Sequence, residues 1–396
     1  MKNKNQLTMT FIRSLIVSII LTLIFSFNFT LPGVIREIVT DESLVATYKD
    51  KGLFYIEGDK FGRLFAFPCL GAGLGCLLTQ FLKINLKSFL FLGNIFFTFG
   101  TLLQFLMFNY WIFLIARIVI GVGIGIVCSI VPTYLSIISP MEKRGFYCSL
   151  QQIALVSGFF FSTVCRYYFN NERWKIPFYA TFFLSASLYG ILPFVENPII
   201  SKNKGKSIID LFKTKEAYLS IITGLLMHLS QHLASINVII CYTDEIFEHK
   251  KMYHIIFNIV QILFTCVNGF FIERFGRKQL LLLSIFVTFF SLCFLSFGKL
   301  EKAFAFLYIA GFCIGLGPVI WYASAEIFPP EFVVTGISLL SLTNWFWGWF
   351  QQKVCFYLKN KMGNMAYMPF NVGLGLCLIY FMVFFKETKN KPADFQ

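Results

Sequence analysis

Residues 117–132 read RIVIGVGIGIVCSIVP and lie inside an almost unbroken apolar run from 111 to 138. A helix that crosses a bilayer needs about 20 consecutive apolar residues, so this run is long enough to cross it once. Glycines recur at Gly121, Gly123 and Gly125. A dinucleotide site needs a preceding strand and GxGxxG spacing, whereas small residues in membrane helices let neighbouring helices approach closely. We therefore predict a tightly packed transmembrane helix.

The whole chain has the composition of such helices. Of its 396 residues, 57% are apolar and 14% are charged, against about 25% charged in a typical soluble domain, and the mean hydropathy is +0.70. The net charge of +14 comes from Lys and Arg between the apolar runs, where basic residues flank a membrane. We therefore expect a lipid bilayer as a partner, and no nucleic acid. The 11 cysteines form no CxxC pair, which predicts free buried thiols.

Twelve runs of this kind can be placed along the chain. They lie near 11–32, 61–82, 88–108, 111–138, 145–168, 177–195, 217–241, 253–272, 278–298, 303–327, 333–357 and 367–385. A Lys-rich stretch, 196–216, divides them into two six-span halves, 1–195 and 217–396. The two halves resemble each other weakly, since the second half has a similar glycine-containing helix at 311–329, GFCIGLGPVIWYASAEIFP. Two six-helix halves in parallel repeat are typical of transporters that hold their substrate near the midplane.

The positions of the basic residues predict the orientation. The central linker, the turn 274–278 and the tail 386–391 are rich in Lys and Arg, which favours the cytoplasmic side. An even number of spans puts both termini on that side as well. We expect a multi-pass protein of the plasma membrane that functions as a monomer.

The seventh span is unusually polar. Residues 228–237 read HLSQHLASIN, and in hydrocarbon each of these polar side chains would be costly unless it faced protein or water. Two interpretations remain open, namely polar contacts between helices and the wall of a cavity. A metal site at His228 and His232 is disfavoured because no Glu follows the first His and no third ligand is evident.

Other spans add neutral amides and aromatic rings at similar depth. They are Gln151, Gln152, Gln261, Asn344, Trp321 and Trp345. Amides offer donors and acceptors without charge, and aromatic rings offer flat apolar faces. This combination predicts a site for a neutral polyhydroxylated ligand such as a sugar, with no cofactor. Because no nucleophile–base pair or metal constellation occurs, we do not expect an enzyme.

Charges cluster instead at the inner ends of the spans. They are Arg144, Glu273, Arg274, Arg277, Lys278 and Glu326. Glu326 precedes a proline at the end of a helix, and Arg144 lies at the equivalent end in the first half. Charge pairs between them would lock the halves together on one side, as alternating access requires.

These residues resemble the sugar porter family of the major facilitator superfamily, which includes the facilitative glucose transporters. The resemblance covers essentially the whole chain and is carried by VPTYLSIISPMEKRG (131–145), LQQIALVSG (150–158), LSQHLASIN (229–237), ERFGRK (273–278), GLGPVIWYASAEIFP (315–329), TNW (343–345) and KETKN (386–390). It implies a fold of twelve transmembrane helices in two pseudo-symmetric halves, and transport of a monosaccharide.

The resemblance also implies roles for single residues. It implies that hexose hydroxyls bind to Gln152, Gln231, Asn237 and Asn344, with Trp321 stacking nearby. His232 stands where the family has a second Gln, and Gln261 where it has Asn, and both can still hydrogen-bond. An inner-gate charge cluster is expected at Arg144, Arg274, Arg277 and Glu326.

Some family features are missing from this sequence. TQFLKI (79–84) keeps only Lys83 of a charged turn, Ile137 replaces a glutamate and Val333 replaces an arginine. Losing all three leaves no orphan charge, which is physically coherent because an unpaired member would be costly. The linker after the sixth span is also shorter than is usual in the family.

Three functions compete on these grounds. An uncoupled hexose facilitator is favoured, since the family's symporters carry an aspartate in the first span where Leu31 stands here. A proton-coupled symporter is the alternative, with His232 as the remaining titratable group at depth. A transport-inactive sensor is disfavoured because such sensors carry long cytoplasmic tails, and Gln396 follows soon after the last span.

Overall fold

The computed structural model describes residues 4–48, 53–106, 109–169, 173–198, 206–248, 250–298 and 300–396, and within these ranges it is helical with no strand. The α-helices are α1 (Lys4–Thr30), α2 (Arg36–Val39), α3 (Glu42–Tyr48), α4 (Gly58–Phe81), α5 (Leu86–Leu106), α6 (Tyr110–Ile138), α7 (Arg144–Tyr168), α8 (Lys175–Ser187), α9 (Ile208–Lys213), α10 (Ala217–Leu233), α11 (Ile236–Ile246), α12 (Lys251–Phe275), α13 (Arg277–Ser296), α14 (Glu301–Ile314), α15 (Val319–Glu326), α16 (Val333–Met362) and α17 (Met368–Val383). Short 3₁₀ helices lie at Leu31–Val34, Met141–Lys143, Leu188–Gly190, Leu192–Phe194 and Gly363–Tyr367.

Among the described residues, 11 helical segments are long and apolar enough to cross a membrane. The first, Thr8–Val39, extends beyond the predicted 11–32, and the next nine match their predicted spans to within a few residues. The last, Val333–Val383, contains both α16 and α17 and so covers the two final predicted spans. Within the described residues, each of the twelve predicted runs is therefore mainly helical, and the prediction of an all-α membrane protein is confirmed.

The chain divides into two compact units. One comprises residues 1–131 and 154–198, and the other comprises 132–153 and 199–396. The segment 132–153, which carries the end of α6 and the start of α7, thus belongs to the second unit. Part of the predicted linker 196–216 lies outside the described residues, and the predicted division at this linker stays a prediction.

In the first unit, α4 and α6 pack backbone to backbone. A Cβ atom added to Gly125 would lie 2.0 Å from the Ala72 carbonyl oxygen, and one added to Gly71 would lie 2.2 Å from that of Ile118. Any side chain at these positions would force the helices apart, because interiors are close-packed. The interpretation of the glycine spacing as close helix packing is confirmed.

Arg117 joins three elements of the same unit. It is fully buried, and its guanidinium donates to the carbonyl oxygens of Leu64 (2.8 Å), Asn28 (2.6 Å) and Phe29 (2.7 Å). Pro68 has no N–H, so the Leu64 carbonyl lacks its helical partner in α4. The other two carbonyls are among the last four of α1, which also lack helical partners. Arg117 thus satisfies orphan carbonyls of two helices.

In the second unit, the predicted seventh span is not one continuous helix. It is broken into α10 and α11 at Ser235, whose φ of 62° is left-handed. The Tyr308 hydroxyl on α14 donates to the Ala234 carbonyl oxygen at 2.6 Å, which satisfies one carbonyl at the end of α10. The break places His232 and Asn237 on either side of the joint.

Candidate functional site

An amide pair connects α10 with α16 in the second unit. The side-chain nitrogen of Asn344 donates to the side-chain oxygen of Gln231 at 3.0 Å. The Gln231 nitrogen donates in turn to the carbonyl oxygen of Leu316 at 3.0 Å and to the carbonyl oxygen of Gly317 at 3.4 Å. Both amides are buried. Two predicted binding residues therefore lie side by side, with no charge between them.

His232 and Asn237 extend this group across the break between α10 and α11. A Cβ atom built on Gly348 of α16 would lie 3.0 Å from His232 Cε1 and 3.5 Å from Asn237 Nδ2. His232 is buried and lies beside Asn344, but neither of its ring nitrogens has a hydrogen-bond partner among the described residues. The imidazole lies against α16 because Gly348 has no side chain.

Gln152 approaches the same group from α7. Its side-chain nitrogen lies 3.3 Å from the position of a Cβ atom on Gly317, the residue whose carbonyl faces Gln231. The second unit thus brings together five of the seven predicted binding residues. They are Gln152, Gln231, His232, Asn237 and Asn344.

The other two predicted binding residues, Trp321 and Gln261, are not joined to this group by a hydrogen bond among the described residues. Trp321 packs edge-on against His228, with ring centroids 5.0 Å apart, and His228 Nε2 lies 3.2 Å from the Ser324 hydroxyl. Gln261 is buried on α12. Contacts between helices are observed in the polar seventh span, and the interpretation as the wall of a cavity stays a prediction. His228 and Gln231 make contacts between helices, whereas His232 has unused hydrogen-bonding capacity.

The charge cluster is built around Glu326 at the end of α15. Its carboxylate accepts from Arg144 Nε at 2.8 Å, from Arg277 Nε at 3.0 Å and Nη2 at 2.8 Å, and from the Thr388 hydroxyl. Arg277 also pairs with Glu273 at 3.3 Å. Arg144, Arg277 and Glu326 are buried, so the pairs are shielded from solvent and weakly screened.

Arg274 is not part of this cluster. Its side chain is exposed, and its guanidinium lies 5.7 Å from the centre of the Phe275 ring. The chain turns at Gly276, with φ of 86° between α12 and α13, and this turn directs Arg277 inward in place of Arg274. The expected cluster thus contains three of its four predicted members.

Sequence reasoning missed the contribution of the tail. The Glu387 carboxylate accepts from the backbone N–H groups of Arg277 (2.9 Å) and Lys278 (3.0 Å) at the start of α13, where a helix favours negative charge. Arg144 Nη2 donates to the Lys391 carbonyl oxygen at 2.9 Å. The KETKN stretch was the available signal, but nothing in it indicated which groups the carboxylate would meet.

A cavity of about 400 Å³ lies elsewhere in the second unit. It is lined by the ends of α11 and α14 and includes Glu245, Glu248, Glu301 and Lys302. Lys302 and Glu248 form an ion pair at 2.5 Å there. None of the predicted binding residues lines this cavity, so it is separate from the amide group.

Comparisons with known proteins agree with this architecture. The model of the "Sugar (and other) transporter" family matches residues 14–206 and 197–394. Among curated relatives, hexose transporter 1 of Toxoplasma gondii is 24% identical over 412 aligned positions, which cover 84% of this chain and 71% of the relative. Facilitated glucose transporter member 2 of Rattus norvegicus is 26% identical over 340, covering 70% of this chain and 64% of the relative.

Solved structures show the same fold. The proton:xylose symporter XylE, bound to 6-bromo-6-deoxy-D-glucose, superposes with a TM-score of 0.80 at 16% identity, over 98% of each chain. At this identity the likeness establishes the fold alone, which is that of the major facilitator superfamily. Since the family model covers nearly the whole chain, the protein is a multi-pass membrane protein that belongs to the sugar (and other) transporter family.

Proposed function

We propose that the protein carries a hexose such as glucose across the plasma membrane by alternating access, as uncoupled facilitated diffusion. The observation that carries this proposal is the uncharged group of Gln231, Asn344, His232 and Asn237 around the break in the seventh span. Amides and a neutral imidazole supply donors and acceptors that suit hydroxyl groups. The curated relatives named as hexose and glucose transporters support the same substrate class.

The absence of proton coupling rests on where the carboxylates lie. Coupling needs a titratable group near the midplane whose charge differs between the two access states. Among the described residues, Glu326 is the one buried carboxylate, and Arg144 and Arg277 hold it. Leu31, at the position of the symporters' aspartate, is apolar and fully buried. The binding group therefore carries no acid that could load and release a proton.

The charged cluster acts as the inner gate in this proposal. Arg144, Arg277 and Glu326 hold the start of α7, the start of α13 and the end of α15 together. A gate must close firmly and still open within the transport cycle. A carboxylate shared by two arginines suits this need, because its hydrogen bonds can be replaced by bonds to water when the cluster opens.

Uptake into proteoliposomes tests the function and its coupling together. We expect radiolabelled glucose to equilibrate with the external concentration, and a pH gradient or a protonophore to leave that level unchanged. Accumulation of sugar above equilibrium when only a proton gradient is supplied would overturn uncoupled transport. A protein that binds glucose without moving it would instead be a sensor.

Proton-coupled symport is the second candidate because His232 is a buried titratable group with no hydrogen-bond partner among the described residues. Histidine titrates near neutral pH when it is unperturbed. If symport holds, a proton gradient will drive accumulation in the unaltered protein, and His232→Gln will abolish accumulation while keeping equilibration. If the facilitator holds, the variant will still equilibrate and neither protein will accumulate sugar.

A further inference from the structure

Gln351 of α16 has hydrogen-bonding capacity that the protein does not use. Its side chain is 3% exposed, and neither its amide oxygen nor its amide nitrogen has a hydrogen-bond partner among the described residues. Buried polar groups in folded proteins are nearly always paired, so each exception calls for an explanation. A ligand that binds there would supply the missing partners.

The position of Gln351 connects it to the binding group. Asn344, Gly348 and Gln351 are separated by four and then three residues, so they share one face of α16. His232 packs against Gly348 in the middle of this face. The imidazole therefore lies on the turn between Asn344 and Gln351, and one ligand touching His232 is within reach of both amides.

The unused capacity lies on the Gln351 side of this face. Asn344 donates to Gln231, and Gln231 donates to the Leu316 carbonyl oxygen. Gln351 retains two N–H donors and a carbonyl acceptor, and a neutral His232 retains one donor and one acceptor. Neighbouring hydroxyl groups on a pyranose ring each donate once and also accept, so they complement this pair. A charged ligand would find no counter-charge in either residue.

We propose that Gln351, together with His232, binds hydroxyl groups on the side of the sugar that faces away from Gln231, and thereby determines which sugars bind. From Asn344 to Gln351 the helix rises about 10 Å, which the two side chains and one pyranose ring with its hydroxyls can bridge. This inference rests on the proposed function, since it takes the ligand to be a sugar.

The test pairs the residue with single hydroxyls of the ligand. Binding of glucose, and of analogues that each lack one hydroxyl, is measured by displacement of labelled glucose from the purified protein and from Gln351→Leu. In the unaltered protein we expect at least one analogue to bind about tenfold more weakly than glucose, which corresponds to one lost hydrogen bond. In Gln351→Leu glucose itself should bind about tenfold more weakly, and that analogue should lose nothing further. Such non-additivity is the signature of direct contact.

Gln104→Leu is the matched control. Gln104 is also buried, at 1% exposure, with both amide atoms unpartnered among the described residues, but it lies on α5 in the first unit. We expect this variant to bind every analogue as the unaltered protein does. The proposal is overturned if Gln351→Leu weakens all analogues by one common factor, if it weakens none, or if Gln104→Leu gives the same pattern. Failure of the unaltered protein to bind any sugar would instead refute the proposed function.

Discussion

Glu326 shows at the scale of one residue how the charge cluster depends on each partner. Replacing it by Gln removes the carboxylate that pairs with buried Arg144 and leaves buried Arg277 with Glu273 as its one acidic partner among the described residues. Removing one partner of a buried ion pair costs about 3–5 kcal/mol, so the conformation that contains the cluster should become rare. We expect Glu326→Gln to reduce the initial rate of glucose uptake at least tenfold at unchanged protein abundance.

Glu331→Gln provides the control for this prediction. Glu331 is 38% exposed and pairs with a half-exposed Lys206 at 3.8 Å, and surface pairs contribute only about 0–1 kcal/mol. Uptake by this variant should stay within about twofold of the unaltered protein. Equal uptake rates for Glu326→Gln and Glu331→Gln would contradict the proposal that the Glu326 cluster acts as a gate.

The sequence predicts the charged residues of this cluster better than its exact members. Arg144, Arg277 and Glu326 could be anticipated because charges at the ends of apolar spans need partners. The choice between Arg274 and Arg277 could not, because it depends on the direction of the turn at Gly276. Gln351 also escaped prediction, since an amide among aromatic residues gives no sign of being unpaired.

Arg117 and α4 give a prediction at the scale of the element. Arg117→Leu leaves three carbonyl oxygens of α1 and α4 without their donor, and hydrogen bonds to charged groups contribute about 1.5–3 kcal/mol each. We expect a fall of several degrees in the melting temperature of the detergent-solubilised protein. Arg63→Leu, at an exposed position of α4, should change the melting temperature little.

Pro68→Ala tests why Arg117 is needed. Alanine restores the N–H that can bond the Leu64 carbonyl within α4, so one of the three orphaned carbonyls regains a partner. We expect Pro68→Ala to raise the melting temperature of the Arg117→Leu protein more than that of the unaltered protein. Equal effects in both backgrounds would show that Arg117 and the proline are not coupled.

The contact between α4 and α6 gives a second prediction at this scale. Gly125→Ala places a methyl group 2.0 Å from the Ala72 carbonyl oxygen, so the two backbones must separate. We expect a clear loss of thermal stability. Gly62→Ala, whose added Cβ atom meets nothing within 4 Å, should leave stability unchanged or raise it, and a matching loss there would contradict the packing argument.

Helices were more predictable than their interruptions. Apolar runs of sufficient length set the spans, because a bilayer leaves few alternatives for backbone hydrogen bonds. The break at Ser235 lies in a stretch without Gly or Pro, the usual signals for one. It depends on the distant Tyr308 hydroxyl, and no local pattern reports such a contact.

Membrane orientation is a prediction about the whole molecule. With the Lys-rich linker in the cytoplasm, Lys213→Cys should react with an impermeant thiol reagent only after the cells are permeabilised. Glu248→Cys, in the exposed loop after α11, should react on intact cells. Labelling of Lys213→Cys on intact cells would contradict the predicted orientation and place the linker outside the cell. The unaltered protein serves as the blank, since its described cysteines are buried or half-buried.

At this scale the sequence predicts the architecture well and the choice of sugar poorly. Apolar runs of sufficient length predict the spanning helices, because the thickness of the bilayer sets how long such a helix must be. In the proposed site, the choice of sugar would depend on which amides keep free hydrogen-bonding groups after the helices pack: Gln231 is bonded within the protein, whereas Gln351 is not bonded to any described residue. Which amides remain unpaired is decided by packing between helices, so the sequence of a single span does not predict it.

The break at Ser235 stores backbone strain in the seventh span. A residue other than glycine in the left-handed region carries about 1–3 kcal/mol of strain, and the bond from Tyr308 to Ala234 holds the bend in place. Straightening α10 and α11 into one rod would release that strain at the expense of this bond. His232 lies on α10 and Asn237 on α11. A sugar that binds both residues would therefore favour one angle between the two helices, and its binding free energy would bias the position of α11.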